Sequence, residues 1–165
     1  MKQKPSPVRV LKGILLADDS PDDIFLFLDL MRRNRIRNPV MLVHDGDEVI
    51  AYLKREGRFV DPVIYPQPSA LFLDLKMPKL SGFEVLRWIS VQPNLKNLLR
   101  IVLTHHCDLK NVHQAYELGA QSFLTKPVTH AELNNLMQKF EPYFCQWSLQ
   151  NQPARAESIN RPATL

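Results

Sequence analysis

Short apolar runs recur along the chain, and each gives way to a polar turn and then to apolar positions at helical spacing. Residues 12–17 (KGILLA) read as a buried strand that hands over, through Asp18-Asp19-Ser20-Pro21, to a helix. Pro21 suits a first helical turn, Asp22 and Asp23 suit the positive end of the helix dipole, and the arginines of 32–37 suit its negative end. The unit then repeats. Residues 39–43 (PVMLV) form a second strand, 45–55 a helix with Val49, Ile50 and Leu53 on one face, and 56–68, with three prolines, a long link. Residues 70–73 (ALFL) make a third strand ending at Asp74, followed by a helix over 82–91 that buries Phe83, Leu86 and Ile89. Residues 100–103 (RIVL) end at Thr104, and Asp108 opens a helix with Leu109, Val112 and Tyr116 on one face and Gly119 to stop it. Residues 121–124 (QSFL) are a fifth strand, and Thr129, with Glu132 three residues on, begins a last helix through Leu133, Leu136, Met137 and Phe140. Five strand-helix repeats predict an α/β domain built on a doubly wound parallel sheet with helices on both faces.

Composition narrows the function classes. A chain of 165 residues, 45% hydrophobic and 23% charged, allows one domain with a real core and a tail. The net charge of +4 is concentrated: Lys2, Lys4, Arg9 and Lys12 form one +4 cluster, Arg32, Arg33, Arg35 and Arg37 another, so the rest carries −4. That is not the basic stripe of a nucleic-acid binder, and the segment after Pro142 is too short for a winged-helix reader. Cys107 and Cys145 lack CxxC spacing, and no apolar run is long enough for a signal peptide or a membrane span, so a cytoplasmic protein without a membrane partner is expected. His105, His106 and Cys107 with His113 lack metal-chelating spacing and read as a loop that begins a helix.

The polar residues that end the strands form a chemical set. Asp18 and Asp19 follow the first strand, Asp74 the third, Thr104 the fourth, and Thr125-Lys126-Pro127 the fifth. In a doubly wound sheet these junctions share one rim, where ligands bind. Three adjacent carboxylates would raise one another's pKa values unless a cation joined them, and an all-oxygen donor set suits Mg2+ better than zinc. A carboxylate oxygen left free of the metal can attack phosphorus, while Thr104 donates a hydrogen bond and Lys126 a positive charge to the phosphoryl oxygens. Taken singly, each Asp reads as a helix cap, the Thr as a strand former and the Lys as a solvated charge; their coincidence at four junctions favours the chemical reading.

The runs LLADDS (15–20), LFLDLKMPKLSG (71–82), IVLTHH (101–106) and SFLTKP (122–127) together resemble the receiver domain of bacterial two-component response regulators, over roughly residues 10–141. The resemblance implies a flavodoxin-like sheet of order 2-1-3-4-5 with five helices. It implies Asp74 as phosphoacceptor from a sensor histidine kinase, and Mg2+ held by Asp19, Asp74 and the backbone carbonyl of Lys76, with Asp18 acting through water. Thr104 would contact the phosphoryl group, Lys126 would pair with it, Lys126-Pro127 would be a cis peptide, and Thr104 with Phe123 would switch the 108–140 face for partner binding. Phe123, which lacks a tyrosine hydroxyl, is expected to sit inward at rest. Residues 1–9 are then an arm, and 142–165 a tail that is partly disordered or docks through Tyr143, Phe144 and Trp147 on the last helix or a second subunit.

Three residues or segments depart from the family pattern: Lys76 two residues after Asp74, His105 after Thr104, and the long link of 56–68. The run DGDEVIAYLKREGRF (45–59) with that link resembles stand-alone response regulators that partner phytochrome-type kinases, and it suggests a homodimer through the 108–140 face. Two other readings compete. A Mg2+-dependent phosphohydrolase with an aspartate nucleophile uses similar strand ends but needs an acid where Lys76 stands, and a receiver-like docking module would never be phosphorylated.

Overall fold

A computed structural model describes residues 12–105 and 108–144. His106, Cys107, Cys145, Trp147, the arm and most of the tail lie outside the described residues. Five parallel strands, β1 (Gly13–Ala17), β2 (Val40–Val43), β3 (Pro68–Asp74), β4 (Leu99–Thr104) and β5 (Ser122–Thr125), form one sheet in the order β2-β1-β3-β4-β5. Helices α1 (Pro21–Arg33), α2 (Gly46–Lys54), α3 (Gly82–Ser90), α4 (Leu109–Glu117) and α5 (His130–Lys139) connect them. The expected flavodoxin-like α/β architecture is therefore present.

The sheet is apolar on both faces because both are covered. Ile14, Leu16, Ala70, Phe72, Ile101 and Leu103 point to α1 and α5, which bring Phe27, Met31, Leu133 and Met137. The alternate residues Leu15, Ala17, Leu71, Leu73 and Val102 point to α2, α3 and α4, which bring Val49, Leu53, Val85, Leu86, Ile89 and Ala115. Each helix starts at a side-chain cap: Ser20, Asp45, Ser81, Asp108 and Thr129 each accept from the amide three residues on. Ser81 with Glu84, like Thr129 with Glu132, closes a full capping box.

Two local expectations are corrected. The third strand runs 68–74 rather than 70–73: Pro68 is tolerated as its first residue, where it removes no interior ladder bond. The Leu109–Val112–Tyr116 stripe of α4 does not face the core; Leu109 is 87% exposed and Tyr116 49%, and Ala115 is the side chain that α4 buries. Within the link of 56–68, Tyr65 packs edge-on with both Tyr52 of α2 and Phe59, the Phe59 ring lies tilted 5.1 Å from that of Tyr52, and Tyr52 donates from its hydroxyl to the Pro66 carbonyl at 2.8 Å. Burial pushes the Tyr52 phenol up to about 12.

After α5 the chain stays on the core through Phe144, which is buried with its ring 6.2 Å from that of Phe72. Asn38 donates to the Lys12 and Tyr143 carbonyls, tying this segment to the start of β1.

Candidate functional site

Sheet register brings the strand ends to one level. Ala17 pairs with Leu73 across β1–β3, Asp74 with Leu103 across β3–β4, and Thr104 with Thr125 across β4–β5. Asp18, Asp74, Thr104 and Lys126 thus end up on one rim, and all four are buried. Asp18, Asp19 and Asp74 each offer a carboxylate oxygen within 4.8 Å of the others, with Asp19 the exposed member.

Lys126 organises the cluster. Its Nζ lies 2.5 Å from Asp18 Oδ2, 3.2 Å from Asp74 Oδ2 and 3.1 Å from Asp23 Oδ2. Its backbone amide donates to the Thr104 carbonyl at 2.8 Å, and the Lys126–Pro127 peptide is cis. The second oxygens are also engaged: Asp18 Oδ1 accepts from the Ser20 amide at 3.0 Å, and Asp74 Oδ1 from the Lys76 amide at 3.1 Å. Burial drives the Asp74 carboxyl above the usual carboxylate range, only partly opposed by the Lys126 charge and the Lys76 amide. Burial alone would lower the Lys126 ammonium, but the Asp18, Asp74 and Asp23 carboxylates more than reverse it and hold the lysine charged.

Asp23 belongs to this constellation although the pattern of strand-end residues does not mark it. Its sequence signal, an acid in the first turn of α1, is that of an ordinary dipole partner. What assigns it to the site is tertiary: its Oδ2 accepts from both Lys126 and His105, the latter at 2.8 Å. Burial tends to raise its pKa, but those two hydrogen bonds and charges leave it lowered.

The loop after Asp74 is clamped from two sides. Gly82 donates its amide to the Leu75 carbonyl, and Lys79, in left-handed conformation at φ 64°, forms a 2.7 Å ion pair with the α2 cap Asp45. Gly46 lets Leu80 approach so closely that a Cβ there would lie 2.3 Å from the Leu80 carbonyl oxygen. Phe123 is half-buried against the α2–α4 core layer. The His44 ring nitrogen meets the Asp18 backbone carbonyl at 3.2 Å, and His130 contacts Asn134 one turn along α5.

Among the described residues, three buried or adjacent carboxylates face one ammonium, which makes a site short of positive charge. Its hard oxygen donors fit a divalent cation such as the one expected from the residue types. No described helix is long and apolar enough to cross a membrane.

Comparison with known proteins agrees with this geometry. A family model described as the response regulator receiver domain matches residues 14–138. Response regulator Rcp1 of Synechocystis sp. is 31% identical over 135 residues, covering 82% of this chain and 90% of its own, and its Mn(2+)-bound crystal structure superposes with a TM-score of 0.66 at 32% identity, covering 80% of this chain and 93% of that one. The bacteriophytochrome response regulator RtBRR matches with a TM-score of 0.73 and 32% identity over 88% of this chain and 85% of its own. The phosphorylated cyanobacterial phytochrome response regulator RcpA matches with a TM-score of 0.68 and 29% identity over 81% of this chain and 94% of its own. With the strand-end carboxylates, the buried lysine and the sheet order all in place, the chain belongs to the response regulator receiver family.

Proposed function

We propose that Asp74 accepts a phosphoryl group from a sensor histidine kinase and that the 108–140 face reads out the change. The observation that carries this is the placement of Asp74 Oδ2 against the Lys126 ammonium, inside a ring of two further acids. An Asp74 oxygen attacks phosphorus; the bond from phosphorus to the donor breaks, and the leaving group keeps the electron pair. Lys126 neutralises phosphoryl oxygens, and the Thr104 hydroxyl donates to one of them. Asp18, Asp19, Asp74 and the Lys76 carbonyl would hold Mg2+, which supplies charge neutralisation for the incoming phosphate.

Phe123 and Thr104 are the switch pair in this reading, with the exposed Leu109 and Tyr116 on the surface they control. That apolar surface supports a homodimer or a downstream protein as partner. The relatives named for phytochromes support a light-sensing kinase as the phosphodonor. Residues 10–141 form the signalling unit, the arm and tail being accessory to it. The protein works as a cytoplasmic signalling component that at most catalyses its own phosphorylation and dephosphorylation.

Incubation with acetyl phosphate and Mg2+ tests this reading by intact-mass spectrometry. A single, lasting phosphoryl adduct that disappears in Asp74→Asn is expected. Continuous release of phosphate without an adduct would instead establish the hydrolase, and an unmodified chain would leave the docking module.

A further inference from the structure

Of the three carboxylates that hold Lys126, Asp23 alone stands outside the acidic trio, on α1. Its charge is therefore not shared with a metal bound by the other two. The same Oδ2 atom that takes the lysine at 3.1 Å takes His105 Nε2 at 2.8 Å. His105 is 53% exposed at the mouth of the site, whereas the Asp23 side chain is 15% exposed beneath it. Among the described residues, Lys126 on the β5–α5 turn and His105 after β4 are the cationic groups bonded to Asp23, and Asp23 is the charged group that faces the imidazole.

A phosphoryl group arriving on Asp74 brings about two negative charges and requires Lys126. Asp23 competes for that lysine and repels the newcomer. We propose that His105 is a positioning residue that acts as the counter-ion of Asp23: when the imidazole takes over the Asp23 oxygen, Lys126 is released toward the phosphoryl group on Asp74. This rests on Asp74 being the phosphoacceptor and adds a regulator to that site. A purely steric role would act in the opposite sense, since trimming an exposed side chain at the mouth only widens it.

Rates of adduct formation from acetyl phosphate and Mg2+ in the full chain, measured for wild type, His105→Ala, His105→Gln, Asp23→Asn and the His105→Ala/Asp23→Asn double variant, decide the matter. Far-UV circular dichroism of each variant checks its fold. Both His105 variants are expected to slow phosphorylation by about fivefold, in line with one partly exposed charge pair. Asp23→Asn is expected to speed it, and the double variant to behave like Asp23→Asn, because the histidine acts through that carboxylate. Faster phosphorylation in His105→Ala, or slowing that persists in the Asp23→Asn background, would overturn the proposal while leaving the phosphoacceptor assignment intact. Failure of the wild type to take the label would overturn both.

Discussion

Gly82 presses against the backbone of Asp74. A Cβ added at Gly82 would stand 2.4 Å from the Asp74 carbonyl oxygen and 2.8 Å from Leu75 Cα, and neither is the end of a flexible side chain. The glycine eight residues after the central acid is therefore a packing requirement: it lets α3 start directly against the strand end that carries Asp74.

Gly82→Ala forces α3 or the strand end to shift. The expected cost is about 1–3 kcal/mol in urea unfolding, as for other overpacked sites, together with slower phosphorylation because Asp74 is displaced. Unchanged stability with unchanged labelling would show that the close approach has no consequence.

Lys126→Met removes the one ammonium shared by Asp18, Asp23 and Asp74. The lysine pKa is raised in the folded protein, so its contribution is complete at neutral pH and is lost only as the pH climbs through that elevated value. Deleting it strands carboxylates in a buried setting, which costs roughly 3–5 kcal/mol. Part of that loss should return on adding Mg2+ or on lowering the pH into the carboxylate range, both of which chemical denaturation reads directly. A variant as stable as wild type would refute the central role given to the lysine.

Asp74 behaves oppositely to an ordinary surface acid. Its pKa is raised on folding, so the folded state holds the proton more tightly than the unfolded chain. The resulting stabilisation is present below about pH 3.8, the unfolded value, and vanishes as the pH rises through the folded value. At pH 7 the ionised group is a burden, and Asp74→Asn without metal is expected to unfold later than wild type. The gap should close toward pH 4. Magnesium at ten times its dissociation constant should add about 1.4 kcal/mol to wild type and less to the variant. Equal midpoints at every pH would contradict the burial account.

Much of this was legible along the chain. The apolar runs gave five strands, and the acids, threonine and lysine that end them meet at the rim because register, not sequence distance, sets their height. Asp23 was not legible as a site residue, since its role depends on how α1 packs beside the β5–α5 turn. The α4 stripe of Leu109, Val112 and Tyr116 misled for a related reason: periodicity reports an apolar face but not whether the fold covers it. The aromatic contacts of Phe59 and Tyr65 with Tyr52 likewise join a link to a helix in a way that local pattern does not encode.

The most direct test traps the acyl phosphate chemically. After reaction with acetyl phosphate and Mg2+, borohydride reduction converts a phosphorylated aspartate to homoserine, and peptide sequencing by mass spectrometry locates it. Homoserine at position 74 alone is the predicted result; homoserine at 18, 19 or 23, or none at all from a folded protein, would contradict it.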